Sequence, residues 1–165
     1  MNKRIFIILP YKESLKPSLA GAVSIYANDT TNLSKYNKKI KIICSDNNPK
    51  KRLFKNKNYI LDFCKKYYRT KIDIIEIHNR PEYLPHIKKY FPETKVILYF
   101  HNNPLTMRLS SSVNEREFII NNTDKIIFIS TWIQQKFYSG LKNVDISKSD
   151  IVHHGINKIQ NINLN

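Results

Sequence analysis

Apolar residues fall along this chain in short, dense runs. Residues 4–9, 39–44, 72–77, 95–100 and 125–129 are rich in Ile, Val, Leu and Phe with little strict alternation, the habit of parallel strands covered on both faces. Between them, residues 20–33, 59–68, 82–90, 113–121 and 132–141 show helical spacing. A last short run, Ile151-Val152, leads into His153-His154-Gly155. Strand and helix alternate throughout, which predicts an α/β fold: a Rossmann-like doubly wound parallel sheet with right-handed crossovers. Pro81 suits the first turn of a helix, where its missing N–H costs nothing, and Pro92 marks that helix's end. Ser130 or Thr131 can cap the helix opening at Trp132, and Gly140 lies near its close.

The chain has 165 residues, the size of one domain with a core of its own. Hydrophobic residues make up 41%, with ten tyrosines and eight phenylalanines, which excludes a disordered chain. Cys44 and Cys64 fall in a predicted strand and a predicted helix without paired spacing and read as reduced core thiols. The run 5–9 follows Lys3 and Arg4 as in a signal peptide, but Pro10, Lys12 and Glu13 end it too early. No stretch approaches the ~18 apolar residues of a membrane span. The expected location is cytoplasmic.

The net charge is +15. Residues 35–71 hold 13 Lys or Arg against Asp46 and Asp62, a local +11, leaving +4 elsewhere. This stretch includes the polar connection 47–58, with Lys50, Lys51, Arg52, Lys55 and Lys57, and then Lys65, Lys66 and Arg69. Three readings stand: a solvated lysine face reflecting a Lys-, Asn- and Ile-rich composition; contact with an anionic membrane or acceptor; and nucleic acid, the weakest of the three.

In open parallel sheets, ligands collect at the carboxyl ends of the strands. Those ends carry residues 10–12, His78-Asn79-Arg80, His101-Asn102-Asn103 and Ser130-Thr131, and several polar strand ends together make a stronger site signal than any one alone. His101 suits contact with a sugar hydroxyl, with a structural bond to a loop carbonyl as its alternative. His78 has similar placement, with loop fixing as its alternative. Arg80 could hold a phosphate or carboxylate bidentately, or pair with Glu82 or Glu76. His86 lies inside a helix beside lysines and is expected at the surface. His153 and His154 are adjacent, so on a strand they face opposite ways and cannot chelate one metal; no metal site is expected. Gly21 lies where the first loop turns into the first helix, where a phosphate can approach backbone N–H groups. "SLAGAVS" is not GxGxxG, the second strand ends in Cys44-Ser45-Asp46, and the chain has no P-loop or GxSxG elbow. Dinucleotide binding is not expected.

These pieces together resemble the N-terminal domain of glycosyltransferase family 4, retaining enzymes of the GT-B fold. The resemblance rests on ordered landmarks: "LPYKESLKPSLAGAVSIYANDTTNLS", "IDIIEIHNRPEYLP", "KVILYFHNNP", "VNEREFIINNTDKIIFISTWIQQKF" and "IVHHGIN". It spans residues 1–157, with 158–165 as a tail or linker. It implies an acceptor-binding half in which His101 is catalytic beside the transferred sugar. Ala20 and Gly21 would form the donor-phosphate loop, and His78, Arg80, Asn102 and Asn103 would lie on the acceptor side. It further implies a nucleotide diphosphate-sugar as co-substrate, no cofactor or metal, and a glycan or lipid-linked acceptor, as in polysaccharide or lipopolysaccharide biosynthesis. A peripheral position at the inner face of the membrane would give the basic stretch a purpose.

Three departures stand out. Ala20 replaces the first glycine of the family's usual pair, Asn157 stands where aspartate is common, and His154 stands where asparagine is common. No donor domain follows Asn165 in this sequence, so little turnover is expected of the chain alone, because nothing would stabilise the leaving diphosphate. A separate donor-domain chain is one implied partner. Two other classes remain: a basic module that binds an anionic membrane or RNA without catalysis, and a remnant with an exposed apolar patch around Trp132.

Overall fold

The computed structural model of the chain describes residues 3–44, 59–142 and 145–155. Strands β1 (Ile5–Ile8), β2 (Ile40–Ile43), β3 (Ile74–His78), β4 (Lys95–Phe100), β5 (Lys125–Phe128) and β6 (Ser149–Ile151) form one sheet in the order β2-β1-β3-β4-β5-β6. Every neighbouring pair is parallel. Helices α1 (Ala22–Leu33), α2 (Tyr59–Tyr67), α3 (Leu84–Tyr90), α4 (Val113–Asn122) and α5 (Thr131–Tyr138) alternate with the strands. The chain has the Rossmann-like architecture that the alternation of runs predicts.

The direction of each step along the sheet decides which face a helix covers, because crossovers are right-handed. Only the step from β1 to β2 runs toward the β2 edge; all later steps run the other way. So α1 lies alone on one face while α2 to α5 share the other. The shared face holds the main core: Phe63 of α2, Leu84 and Ile87 of α3, Ile119 of α4 and Phe137 of α5 pack on Ile75, Ile77, Leu98, Phe100 and Phe128. Each such side chain contributes roughly 1.5–3 kcal/mol on burial. The α1 face has a small cluster of Ile7, Leu9, Ala27 and Cys44.

Strands β3 and β4 are therefore not covered equally on both faces, as their unbroken apolar runs had suggested. Ile74, Glu76, Ile97 and Tyr99 are half-buried, while Ile75, Ile77, Val96 and Leu98 are fully buried. One helix cannot cover what four helices cover opposite.

Local chemistry sets the element ends. The helix expected at 82–90 divides into a 3-10 turn, Pro81–Tyr83, and α3. Pro85 lacks an N–H, so it belongs to the first turn of α3 rather than to the interior of a longer helix. Ser112 and Glu115 close a capping box on α4. The Ser130 hydroxyl accepts from Ile133 N–H to start α5. Helix α1 begins at Ala22, with Gly21 as its N-cap in ordinary extended geometry, φ −85°. Cys64 is buried in the main core and Cys44 in the α1-side cluster. Burial pushes the Cys64 thiol up to about 12. His86 is half-buried rather than at the surface, and its backbone carbonyl faces Cys64 Sγ at 3.9 Å. Trp132 is exposed with Lys136 above its ring, and exposed Ile25, Leu33 and Val152 line a cavity beside α1.

Candidate functional site

Parity along the strands decides which polar side chains meet. In β3, residues 74, 76 and 78 point to the α1 face; in β4, residues 95, 97 and 99 do so, because side chains alternate. His78 is in register with Tyr99, and their rings stack at 4.5 Å with an interplanar angle of 4°. His101 continues the parity of Tyr99 beyond the strand end. There its Nε2 lies 2.9 Å from His78 Nδ1.

A third ring joins them from far along the chain. After β6 the segment 152–155 crosses the tops of β5 and β4. His153 Nδ1 lies 3.0 Å from the Ile129 carbonyl, while His154 turns inward and sets its Nε2 2.9 Å from His101 Nδ1. Tyr26 of α1 covers this contact, stacked on His154 at 4.3 Å and edge-on to His101 at 5.4 Å. Three imidazoles thus run in line from a buried strand end to an exposed residue. The adjacency of His153 and His154 gives no sign of this, since adjacent residues on a strand point to opposite faces. The one sequence signal was His154 itself, standing where the resembling family commonly has asparagine.

His101 is buried and both its ring nitrogens are engaged, so it does not offer a free nitrogen to a sugar hydroxyl, the contact expected from its place at a strand end. Burial first, then His78 and His154, pull its proton affinity down to about 2. It is a neutral link in the chain. His154 is also shifted below the ordinary histidine value, by burial and then by His78. At the inner end, His78 Nε2 is buried without a hydrogen-bond partner, and the nearest acid is Glu76, with Oε2 at 3.8 Å. Glu76, two residues upstream on the same face, is legible from parity as a neighbour of His78, beside its expected role as a partner for Arg80.

Asn79 holds the arrangement together. Its φ is +52°, a left-handed geometry that Asn tolerates better than most residues. Its side-chain oxygen accepts from His101 N–H at 2.7 Å, and its own N–H donates to the Tyr99 carbonyl. The sequence placed Asn79 at a strand end without giving it a role.

Arg80 takes neither Glu76 nor a buried position. Its guanidinium donates to the Asn79 carbonyl at 2.8 Å and lies 3.8 Å from Glu82, with side chains about one third exposed. Asn102 is exposed. Asn103 caps the 3-10 turn Pro104–Thr106 by accepting from Leu105 N–H, which commits its side chain to the loop.

The loop before α1 also differs from expectation. The Glu13 carboxylate accepts from Ser24 N–H at the start of α1, and a Cβ on Gly21 would lie 2.8 Å from both its oxygens. The position assigned to a donor phosphate is held by the chain's own carboxylate. The backbone at 21 makes no demand for glycine through φ, and a Cβ there would press only on the movable end of the Glu13 side chain. Replacing Glu13 with Gln is expected to cost roughly 0.3–1 kcal/mol by removing a negative charge from the positive end of the helix. Urea unfolding at low and high salt checks this: the deficit should shrink as salt screens the charge.

Beside the histidines is a cavity of about 500 Å³ lined by Ile25, Tyr26, Asp29, Leu33, Val152 and His154 among others. Among the described residues there is no cluster of three or more potential metal ligands, and no helix is long and apolar enough to cross a membrane. The connection 47–58, Asn157 and the tail 158–165 lie outside the described residues.

The strand order and the polar strand ends define a Rossmann-like domain. Anabaena Alr3699/HepE in complex with UDP matches 93% of this chain at a TM-score of 0.56 and 12% identity. The same protein in complex with UDP-glucose matches 92% at a TM-score of 0.52 and 14% identity. In both comparisons the match covers 44% of HepE, so this chain spans less than half of it. Spore coat protein SA of Bacillus subtilis (strain 168) is 28% identical over 88 residues, 53% of this chain and 23% of that protein. No protein-family model matches the chain.

Proposed function

We propose that this chain is the acceptor-binding half of a retaining, family 4-like glycosyltransferase, spanning residues 1–157 and acting with a donor-binding half. The supporting observation is a parallel sheet of the HepE type whose strand ends gather His78, Asn79, His101 and His154 into one wall. HepE was solved with UDP and with UDP-glucose, and a nucleotide diphosphate-sugar is the co-substrate in this reading. The sugar passes to a hydroxyl of a glycan or lipid-linked acceptor. Arg80 and Asn102, exposed enough to touch a ligand, face the acceptor; His78, His101 and Asn103 shape the wall behind them. A diphosphate approaching Ala20 and Gly21 displaces Glu13 first. No cofactor or metal enters.

Titration of this chain with a lipid-linked sugar in micelles and, separately, with UDP-glucose tests the assignment. Acceptor binding that weakens in Arg80→Ala, with UDP-glucose bound only once a donor half is added, is the expected result. Tight UDP-glucose binding to this chain alone, with no acceptor binding, would reverse the assignment.

A second reading, membrane contact, draws on the β2 edge. There Lys35 and Lys39 lie over Tyr36, Lys41 and Lys66 over Tyr67, and Arg69 over Tyr68. Salt-sensitive binding to anionic vesicles, indifferent to sugars, would favour it.

A further inference from the structure

The two N···N contacts in the histidine chain each require one proton, and the inner end settles which nitrogen carries it. His78 Nε2 is buried without a hydrogen-bond partner, and the Glu76 carboxylate lies 3.8 Å from it. A bare nitrogen there would set a lone pair against a carboxylate oxygen, whereas an N–H points a donor at it. With Nε2 protonated, neutral His78 has a bare Nδ1, so His101 Nε2–H donates to it. His101 Nδ1 is then bare and accepts from His154 Nε2–H. His154 Nδ1 is left as a lone pair that makes no hydrogen bond among the described residues, on a side chain that lines the cavity. All donors point the same way, from the cavity inward to a carboxylate.

We propose that Glu76, His78, His101 and His154 form one proton relay, in which His154 Nδ1 takes up a proton at the cavity and His78 beside Glu76 holds the resulting charge. Uptake at His154 Nδ1 passes the Nε2 proton of His154 to His101 Nδ1, and the Nε2 proton of His101 to His78 Nδ1. His78 becomes an imidazolium paired with Glu76, and His101 and His154 end neutral with their protons moved from Nε2 to Nδ1. No net charge rests on the middle ring, which suits its burial.

The groups facing the relay are Tyr26 and Asp29 from α1 and Tyr99 from β4. His153 points away to the Ile129 carbonyl. Burial is the leading cause that raises both tyrosines, with the Glu76 carboxylate next, so they stay neutral. Glu76 is thus the charge nearest the inner end, and Asp29 the charge lining the outer end.

In the transferase reading, on which this use rests, the proton is the one an acceptor hydroxyl releases. Its oxygen bonds to the anomeric carbon of the sugar as the nucleoside diphosphate leaves with the electrons of the old C–O bond. The relay itself is read without sugar or turnover, so either idea can fail alone.

Nitrogen-15 spectra of the imidazoles in the histidine-labelled chain, followed through acidification, test it. The expected result is Nε2–H on all three rings at neutral pH. With the first proton, His78 becomes charged while His101 and His154 switch together to Nδ1–H. In Glu76→Gln no carboxylate remains to pair with a His78 imidazolium, so the coupled switch of the three rings is expected to be lost. His154→Gln keeps a donor to His101 Nδ1 but cannot pass a proton, so exchange of the His78 and His101 ring protons with water should slow. The proposal is overturned by His154 charging first with the inner rings unchanged, or by exchange that His154→Gln leaves as fast as before.

Discussion

Asn79→Ala is expected to destabilise the fold by roughly 2–4 kcal/mol, the sum of a left-handed backbone penalty and a buried N–H left without its acceptor. Asn79 sits at φ +52° and accepts from His101 N–H at 2.7 Å. Alanine lacks the polar side chain by which asparagine tolerates this geometry, and it has no oxygen to replace the acceptor. Asn79→Gly separates the two contributions: it restores conformational freedom, so it should be milder than alanine by about 1 kcal/mol while still losing the hydrogen bond. Urea unfolding of the three proteins provides the check. Equal losses for Ala and Gly would show that backbone geometry contributes nothing, and a wild-type midpoint for both would remove Asn79 as the pin. Because the bond holds the backbone of His101, both variants should also disturb the imidazole signals of the histidine chain.

Arg116→Met should have an effect of similar size, on the order of 3 kcal/mol, because hydrogen bonds from a charged donor to buried carbonyls are lost together. Arg116 is 3% exposed. Its guanidinium donates to the carbonyls of Ser110, Ser111 and Ser139, at 3.2, 2.9 and 2.7 Å. It thereby ties the loop before α4 to the end of α5. That loop contains Leu109 at φ +61°, a costly geometry for a leucine that persists only where its surroundings hold it. Methionine fills much of the volume but supplies no donor. Lysine restores a charge on a single nitrogen without the planar fork and should recover only part of the loss. Calorimetric unfolding measures the deficit, and hydrogen exchange should show residues 108–112 opening well before the sheet. A Met variant as stable as the parent, with normal protection there, would mean that water serves the three carbonyls equally well.

The sheet was legible because its strands are dense runs of Ile, Val, Leu and Phe that have no other stable use, and because alternation with helices leaves few topologies once crossovers are right-handed. The caps at Pro81 and Ser130 were legible for the same local reason. The unequal cover of β3 and β4 was not, since a run of apolar residues does not record how many helices will reach each face. At the site, parity along β3 and β4 already placed Glu76, His78, Tyr99 and His101 on one face. What the sequence could not show was the arrival of His154, 53 residues after His101 and next to them only after the segment beyond β6 crosses the sheet.

The loop at Gly21 marks the same boundary from the other side. A small residue before a helix invites an anion, and that much follows from local backbone chemistry. Which anion comes is a matter of tertiary geometry: Glu13 lies eight positions upstream, and only the turn after β1 brings its carboxylate against Gly21 and Ser24. Period, parity and capping act over a few residues and are written in the chain. Which distant side chains share a proton or fill a charge depends on how the elements stack, and the tertiary structure decided that for the histidine chain and for Glu13.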